Sequence, residues 1–284
     1  MPWRRWFVVA LFILLVVSMT PLAPANEPPD QRKPARPSQR PAQLISDALQ
    51  PAEEAQEASQ PEAGTEESAD HPTEEVPEET NPRQVQESAA VEARYFDDAV
   101  FIGDSRMEGF KLYSGLNNAK FLTAVGATVD TVASKATERL STGEKVPIMD
   151  ALAREDFSKV YLMLGMNELG WVYPSLFAEH YGGLIDQIRE LCPDAVIYIE
   201  GILPVTAEKD AEGGYINNAR IDQYNELLQQ LAEEKQVWYL DVSPAVEDAD
   251  GCLPAENSFD GIHLKPDACR LWLDYLKTHT AQAE

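Results

Sequence analysis

Val160-Tyr161-Leu162-Met163-Leu164-Gly165-Met166-Asn167-Glu168 is the stretch that decides the fold class. Its first five residues are all apolar, so neither face of a strand here can be turned to water. A strand buried on both faces belongs in a parallel sheet with helices packed above and below it. The flanking sequence agrees. Pro174 stands at a helix start, and residues 176–191 carry apolar side chains at helical spacing. An apolar run at 195–199, an amphipathic stretch at 219–234 and a short apolar run at 237–240 follow. Upstream, residues 99–102 and 121–125 read as strands, with a helix over 106–112 between them. Pro266 opens a last helix that runs to about residue 277. Strands alternating with helices predict an α/β domain, a three-layer sandwich around a five-stranded parallel sheet.

That pattern holds only from residue 94 onward, so the chain divides into 1–25, 26–93 and 94–284. Residues 26–93 hold half of the chain's 20 prolines and are rich in Glu, Gln, Ala and Ser. Such a composition buries too little apolar surface to offset chain entropy and reads as a disordered spacer. Ahead of it, Trp3-Arg4-Arg5 gives a basic start and residues 6–19 an apolar run of 14 residues. That is short of the ~18–20 expected of a spanning helix and fits an export signal. Ala23-Pro24-Ala25 offers small residues for cleavage; left uncleaved, the run is a membrane tether. An exported or surface-tethered protein is expected. The formal net charge of −25 excludes a nucleic-acid partner, which needs clustered Lys and Arg. Cys192, Cys252 and Cys269 are too few for a disulfide framework, although Cys252 and Cys269 could pair, and they match no zinc spacing.

Ligands of open α/β sheets bind outside the carboxyl ends of the strands, so the residues there carry the functional reading. They are Gly103-Asp104-Ser105, then Gly126, then Gly165-Met166-Asn167-Glu168, and finally Asp260-Gly261-Ile262-His263 ahead of the last helix. This set permits acyl transfer. A serine hydroxyl needs a general base. Of the four histidines, His71 lies in the spacer, His279 in the tail and His180 mid-helix, which leaves His263. Asp260, three residues earlier, can orient the imidazole. The Ser105 and Gly126 N–H groups and the Asn167 amide are candidates for an oxyanion hole. Ser105-Arg106-Met107-Glu108 also has the form of a helix capping box, so Ser105 taken alone would be a cap.

The four segments, in this order and each at a strand end, resemble the signature blocks of the SGNH hydrolases, the GDSL esterase/lipase family. The resemblance spans residues 97–277, the whole globular part. It implies a flavodoxin-like sheet and a serine esterase with Ser105, His263 and Asp260 as its triad. It implies no metal or cofactor, and a small acyl ester, acetyl above all, on a small molecule or glycan. An O-acyltransferase with the same triad and a non-catalytic glycan- or wall-binding protein remain alternatives. Two positions depart from the pattern: Arg106 replaces the usual Leu, and Glu168 the usual Asp. Beside the nucleophile, Arg106 is expected to favour polar or anionic substrates. Met166, Trp171, Tyr173 and Pro204 are further candidates for lining the pocket, the aromatics by stacking on a sugar ring.

Overall fold

The computed structural model describes residues 81–281. The signal or tether and most of the spacer lie outside these residues. The predicted sheet is there: five parallel strands, β1 (Ala99–Gly103), β2 (Lys120–Thr123), β5 (Lys159–Met163), β6 (Val196–Glu200) and β7 (Trp238–Leu240), in the order β2-β1-β5-β6-β7. Between β2 and β5 runs a segment that the sequence pattern did not resolve. It holds two short helices, α2 (Thr131–Ser134) and α3 (Ile148–Leu152), and an antiparallel pair, β3 (Glu138–Arg139) with β4 (Lys145–Val146). Glu138 Oε1 accepts the Thr123 N–H at 3.1 Å, which satisfies a backbone donor of the edge strand β2.

Alternation along the strands sorts side chains into two cores. Val100, Ile102, Val160, Leu162, Ile197 and Ile199 face one layer, packed under α4 (Pro174–Leu191) and α6 (Asn218–Lys235). Phe101, Tyr161, Met163 and Tyr198 face the other, under α1 (Ser105–Tyr113) and α7 (Pro266–Thr278). On this second face Phe121, Phe101, Tyr161 and Tyr198 lie in register across four strands. Their rings stack with successive centroid separations of 5.1, 4.5 and 4.5 Å. Each such pair contributes about 0.5–1.5 kcal/mol beyond simple burial.

The boundary at residue 93 needs correction. Gln84 bridges Tyr239 in parallel, Val85 N donates to Tyr239 O at 2.8 Å, and Tyr239 N donates to Arg83 O at 2.8 Å. Ser88 and Val91 then bond the end of α7 through Thr278 O and Lys277 O. The polar composition hid a segment whose backbone completes the β7 edge and whose Val85 is buried. The sequence bounds of the strands and helices otherwise shift by a residue or two at their ends, where caps and fraying decide. All three cysteines are free thiols, and Cys269 is fully buried, so Cys252 and Cys269 do not pair.

One buried group makes the fold pH-sensitive. Glu200, at the end of β6, is 0% exposed. Its Oε2 accepts the Trp272 indole N–H at 2.9 Å and its Oε1 has no partner. Burial pushes its carboxyl up to about 8, against the opposing pull of the indole bond. The native state therefore holds a proton that the unfolded chain releases near the ordinary carboxylate range. Stability from this group is complete below that range and is lost as pH rises through about 8. Thermal melts at about pH 5 and about pH 9 should show a stability loss that Glu200→Gln reduces; an equal loss in the variant would contradict this account.

Candidate active site

The turn out of β1 sets the position of Ser105. A Cβ on Gly103 would come within 2.6 Å of Met107 Cβ and 2.7 Å of Met163 O, so only glycine fits. Asp104 is the N-cap of α1: its Oδ1 accepts the Arg106 N–H at 2.9 Å. The capping role open to Ser105 in the sequence thus falls to Asp104. Ser105 is the first residue of α1, so its N–H has no intrahelical acceptor and its hydroxyl is not spent on the cap.

Ser105 Oγ instead lies 2.9 Å from His263 Nε2, and His263 Nδ1 lies 2.7 Å from Asp260 Oδ2. With Nδ1–H donating to the carboxylate, Nε2 is left to accept the serine proton. The loop is built to hold this shape. Asp260 Oδ1 accepts the N–H groups of Ile262 and His263, and Ser258 Oγ accepts that of Gly261. Gly261 has φ +89°, and a Cβ there would meet Lys209 Cβ at 2.9 Å. Partial burial pushes the Asp260 carboxyl up. The donated bonds from the His263 backbone and ring and from Ile262 outweigh it, and the group lies below the usual carboxylate range.

The second and third blocks are tied together. Gly126 sits in a turn at φ +72°. The Asn167 side-chain amide donates to Ala127 O at 2.9 Å and to Asp104 Oδ2 at 3.3 Å. Glu168 is fully buried; its Oε1 accepts the Val129 N–H at 2.8 Å, and burial pushes its carboxyl up to about 7. The Gly126 loop is therefore held against the β5 loop on both sides of residue 128, with Gly126, Asn167 and Ser105 all at the carboxyl edge of β1, β2 and β5. This is the point where strand order reverses and where ligands of such sheets bind.

Several expected pocket residues lie elsewhere. Arg106 is 2% exposed and its guanidinium turns inward to the carbonyls of Leu203 and Pro204. Burial draws it down to about 10, against the pull of Asp104 and Asp260, and it stays charged at neutral pH. It cannot meet a substrate as the sequence suggested, because the helix start points it into the protein. Pro204 and Met166 are also buried, the latter in the first of the two cores. Trp171 is half-buried, edge-on to His180 at 5.7 Å. Tyr173, the residue ahead of α4, is 65% exposed. The sequence reading missed Phe259, 58% exposed and directly before Asp260, whose ring pairs with Tyr113 at 6.0 Å, and the exposed Tyr215. Its place beside the fourth block was the available signal for Phe259. It also missed a second His–carboxylate pair, His180 Nδ1 with Asp130 Oδ1 at 2.7 Å. Among the described residues no cluster of His, Cys, Asp and Glu is suited to hold a metal ion.

The model of the GDSL-like lipase/acylhydrolase family matches residues 101–271, more than half of the chain. The chain belongs to that family. Its activity is accordingly that of an ester-bond hydrolase. Solved structures resemble it. A Streptococcus pneumonia protein named for platelet activating factor superposes with a TM-score of 0.51 at 22% identity, over 65% of this chain and 87% of the other. A GDSL-like lipase from Bacteroides thetaiotaomicron gives 0.48 at 12%, covering 66% and 89%. A catalytic mutant of an acetylxylan esterase from Geobacillus stearothermophilus gives 0.45 at 14%, covering 63% and 91%. At 22% identity the first of these likenesses is one of fold alone. No curated protein sequence matches the chain.

The Glu168 contact is open to test. Glu168→Ala leaves the buried Val129 N–H without an acceptor, at an expected cost of about 1–3 kcal/mol in urea unfolding at neutral pH. Glu168→Gln keeps an acceptor and should cost less than about 1 kcal/mol; equal costs for the two would reject the contact as a source of stability.

Proposed function

We propose that this GDSL-family hydrolase is a serine esterase that removes a small acyl group, acetyl foremost, from a carbohydrate or cell-wall glycan. The observation that carries the mechanism is the continuous hydrogen-bonded chain Asp260–His263–Ser105, with the Ser105 hydroxyl released from capping duty by Asp104. Ser105 Oγ attacks the ester carbonyl as His263 Nε2 takes its proton. The imidazolium is stabilised by Asp260 and returns the proton to the departing alcohol. The N–H groups of Ser105 and Gly126 and the amide of Asn167 receive the oxyanion. The Asn167 amide already donates to Ala127 O and Asp104, so it serves by sharing a proton with the developing charge. Water then attacks the acyl-enzyme and restores Ser105.

The substrate class rests on three exposed aromatic rings. Tyr173 and Phe259 lie in the connections after β5 and β7, Tyr215 lies just ahead of α6, and all three are exposed rings that suit the flat face of a sugar. The apolar run at residues 6–19 fits export, with action at or outside the cell surface.

The test is hydrolysis of p-nitrophenyl esters over increasing acyl length, followed by an acetylated glycan. Acetate should be the preferred acyl group, and Ser105→Ala should lower kcat by about 10⁶-fold and Asp260→Asn by about 10⁴-fold. Retained activity in Ser105→Ala would overturn the mechanism. Acyl groups appearing on an added glycan instead of free acetate would replace hydrolysis with transfer.

A further inference from the structure

The chain that leaves β6 does not go directly into a helix. Residues 202–206 form an irregular, fully buried strap. Buried backbone polar groups must find partners, and here side chains supply them. Asn225 of α6 takes the Ile202 N–H at 2.7 Å and donates to Ile202 O at 3.0 Å. Asn218 of the same helix takes the Val205 N–H at 2.8 Å and donates to Val205 O at 3.2 Å. The two carbonyls between them, on Leu203 and Pro204, accept from Arg106 of α1. From the far end of the strap, Thr206 N donates to Gly261 O at 3.0 Å, inside the Asp260–His263 loop. Thr206 Oγ1 also packs against Gly261, 3.2 Å from where a Cβ would stand.

We infer that Arg106 is a positioning residue that sets the distance between Ser105 and His263 by fixing this strap. The nucleophile and the residue that grips the strap are adjacent in sequence, at one helix start. The strap in turn grips the peptide between Asp260 and His263. The two halves of the triad, 158 residues apart in the chain, thus share one anchor. A Leu at position 106, as in the family's name motif, reaches neither carbonyl. It would leave two buried acceptors unpaired and the strap free to shift. Displacements of about 1 Å at a reacting pair cost on the order of 100-fold in rate.

The inference rests on the esterase reading, and two readouts separate their failures. The first is steady-state kinetics on p-nitrophenyl acetate for the full protein and its Arg106→Leu and Arg106→Lys variants. Arg106→Leu should lose on the order of 100-fold in kcat with KM within about threefold, and Arg106→Lys, which keeps a charged donor but not the two-pronged grip, should recover about tenfold of that loss and stay about tenfold below wild type. The second is amide hydrogen exchange, which needs no turnover: the Thr206 N–H should exchange faster in Arg106→Leu while β1, β5 and β6 keep their protection. Wild-type kcat in Arg106→Leu, or Thr206 exchange unchanged from wild type, overturns the inference. If the wild type cleaves no ester, the esterase reading falls and the exchange result alone decides for or against the strap. If Arg106→Leu does not fold, Arg106→Lys decides: lowered kcat with faster Thr206 exchange supports the inference, and wild-type values for both reject it.

Discussion

One buried carboxylate organises the carboxyl edge of this sheet. Asp104 is 1% exposed, and burial pushes its pKa up, against the Arg106 N–H, the Arg106 charge and His263. Such a group persists only if its oxygens are occupied. Oδ1 caps α1, and Oδ2 takes the amide of Asn167. The cap frees the serine beside it, and the amide bond brings the β5 loop to the same place. Because Gly103 admits no side chain between β1 and α1, the turn that delivers Asp104 is as tight as the backbone allows. The site follows from this: a helix start with an unspent hydroxyl, facing a histidine whose own carboxylate fixes which nitrogen is free.

Beneath that edge the sheet is rigid for ordinary reasons. Two apolar layers and a row of stacked rings leave the strand ends little freedom, and loops carry the variation. Two carboxyl groups reach this interior near strand ends. Glu168 and Glu200 both follow from that position, and both are held closer to neutrality by burial. Glu168 uses one oxygen to fasten the loop that carries Gly126. Glu200 uses one on Trp272 and leaves the other without a partner. The first contributes to the shape of the site, and the second makes the fold less stable in alkali.

Much of this was legible in the sequence. Strands that are apolar on both faces announce a parallel sheet, and the chemistry of Gly-Asp-Ser, Gly, Gly-x-Asn and Asp-x-x-His is local enough to survive without coordinates. What was hidden depends on direction or on long-range pairing. Residues 83–91 show only two valines among polar and small residues, and only their contacts with Tyr239 and α7 show that they belong to the fold. The two-residue strands β3 and β4 are too short to carry a period. Arg106 read as a substrate contact because adjacency in sequence says nothing about which side of a helix faces the protein; one residue from Ser105 is about 100° of rotation. His180 lies mid-helix, in α4. It does pair with Asp130, but the Ser105 hydroxyl lies against His263, and that is what distinguishes the two pairs.

The central claim is that a covalent acyl-enzyme forms on the hydroxyl that Asp104 leaves free. Rapid acid quench of the protein with a slowly hydrolysed activated ester, followed by peptide mass spectrometry, tests it directly. The account predicts one acyl group on the peptide containing Ser105, absent in His263→Ala. An acyl group on any other residue, or turnover with no labelled Ser105 peptide under conditions where acylation outpaces its loss, would contradict it.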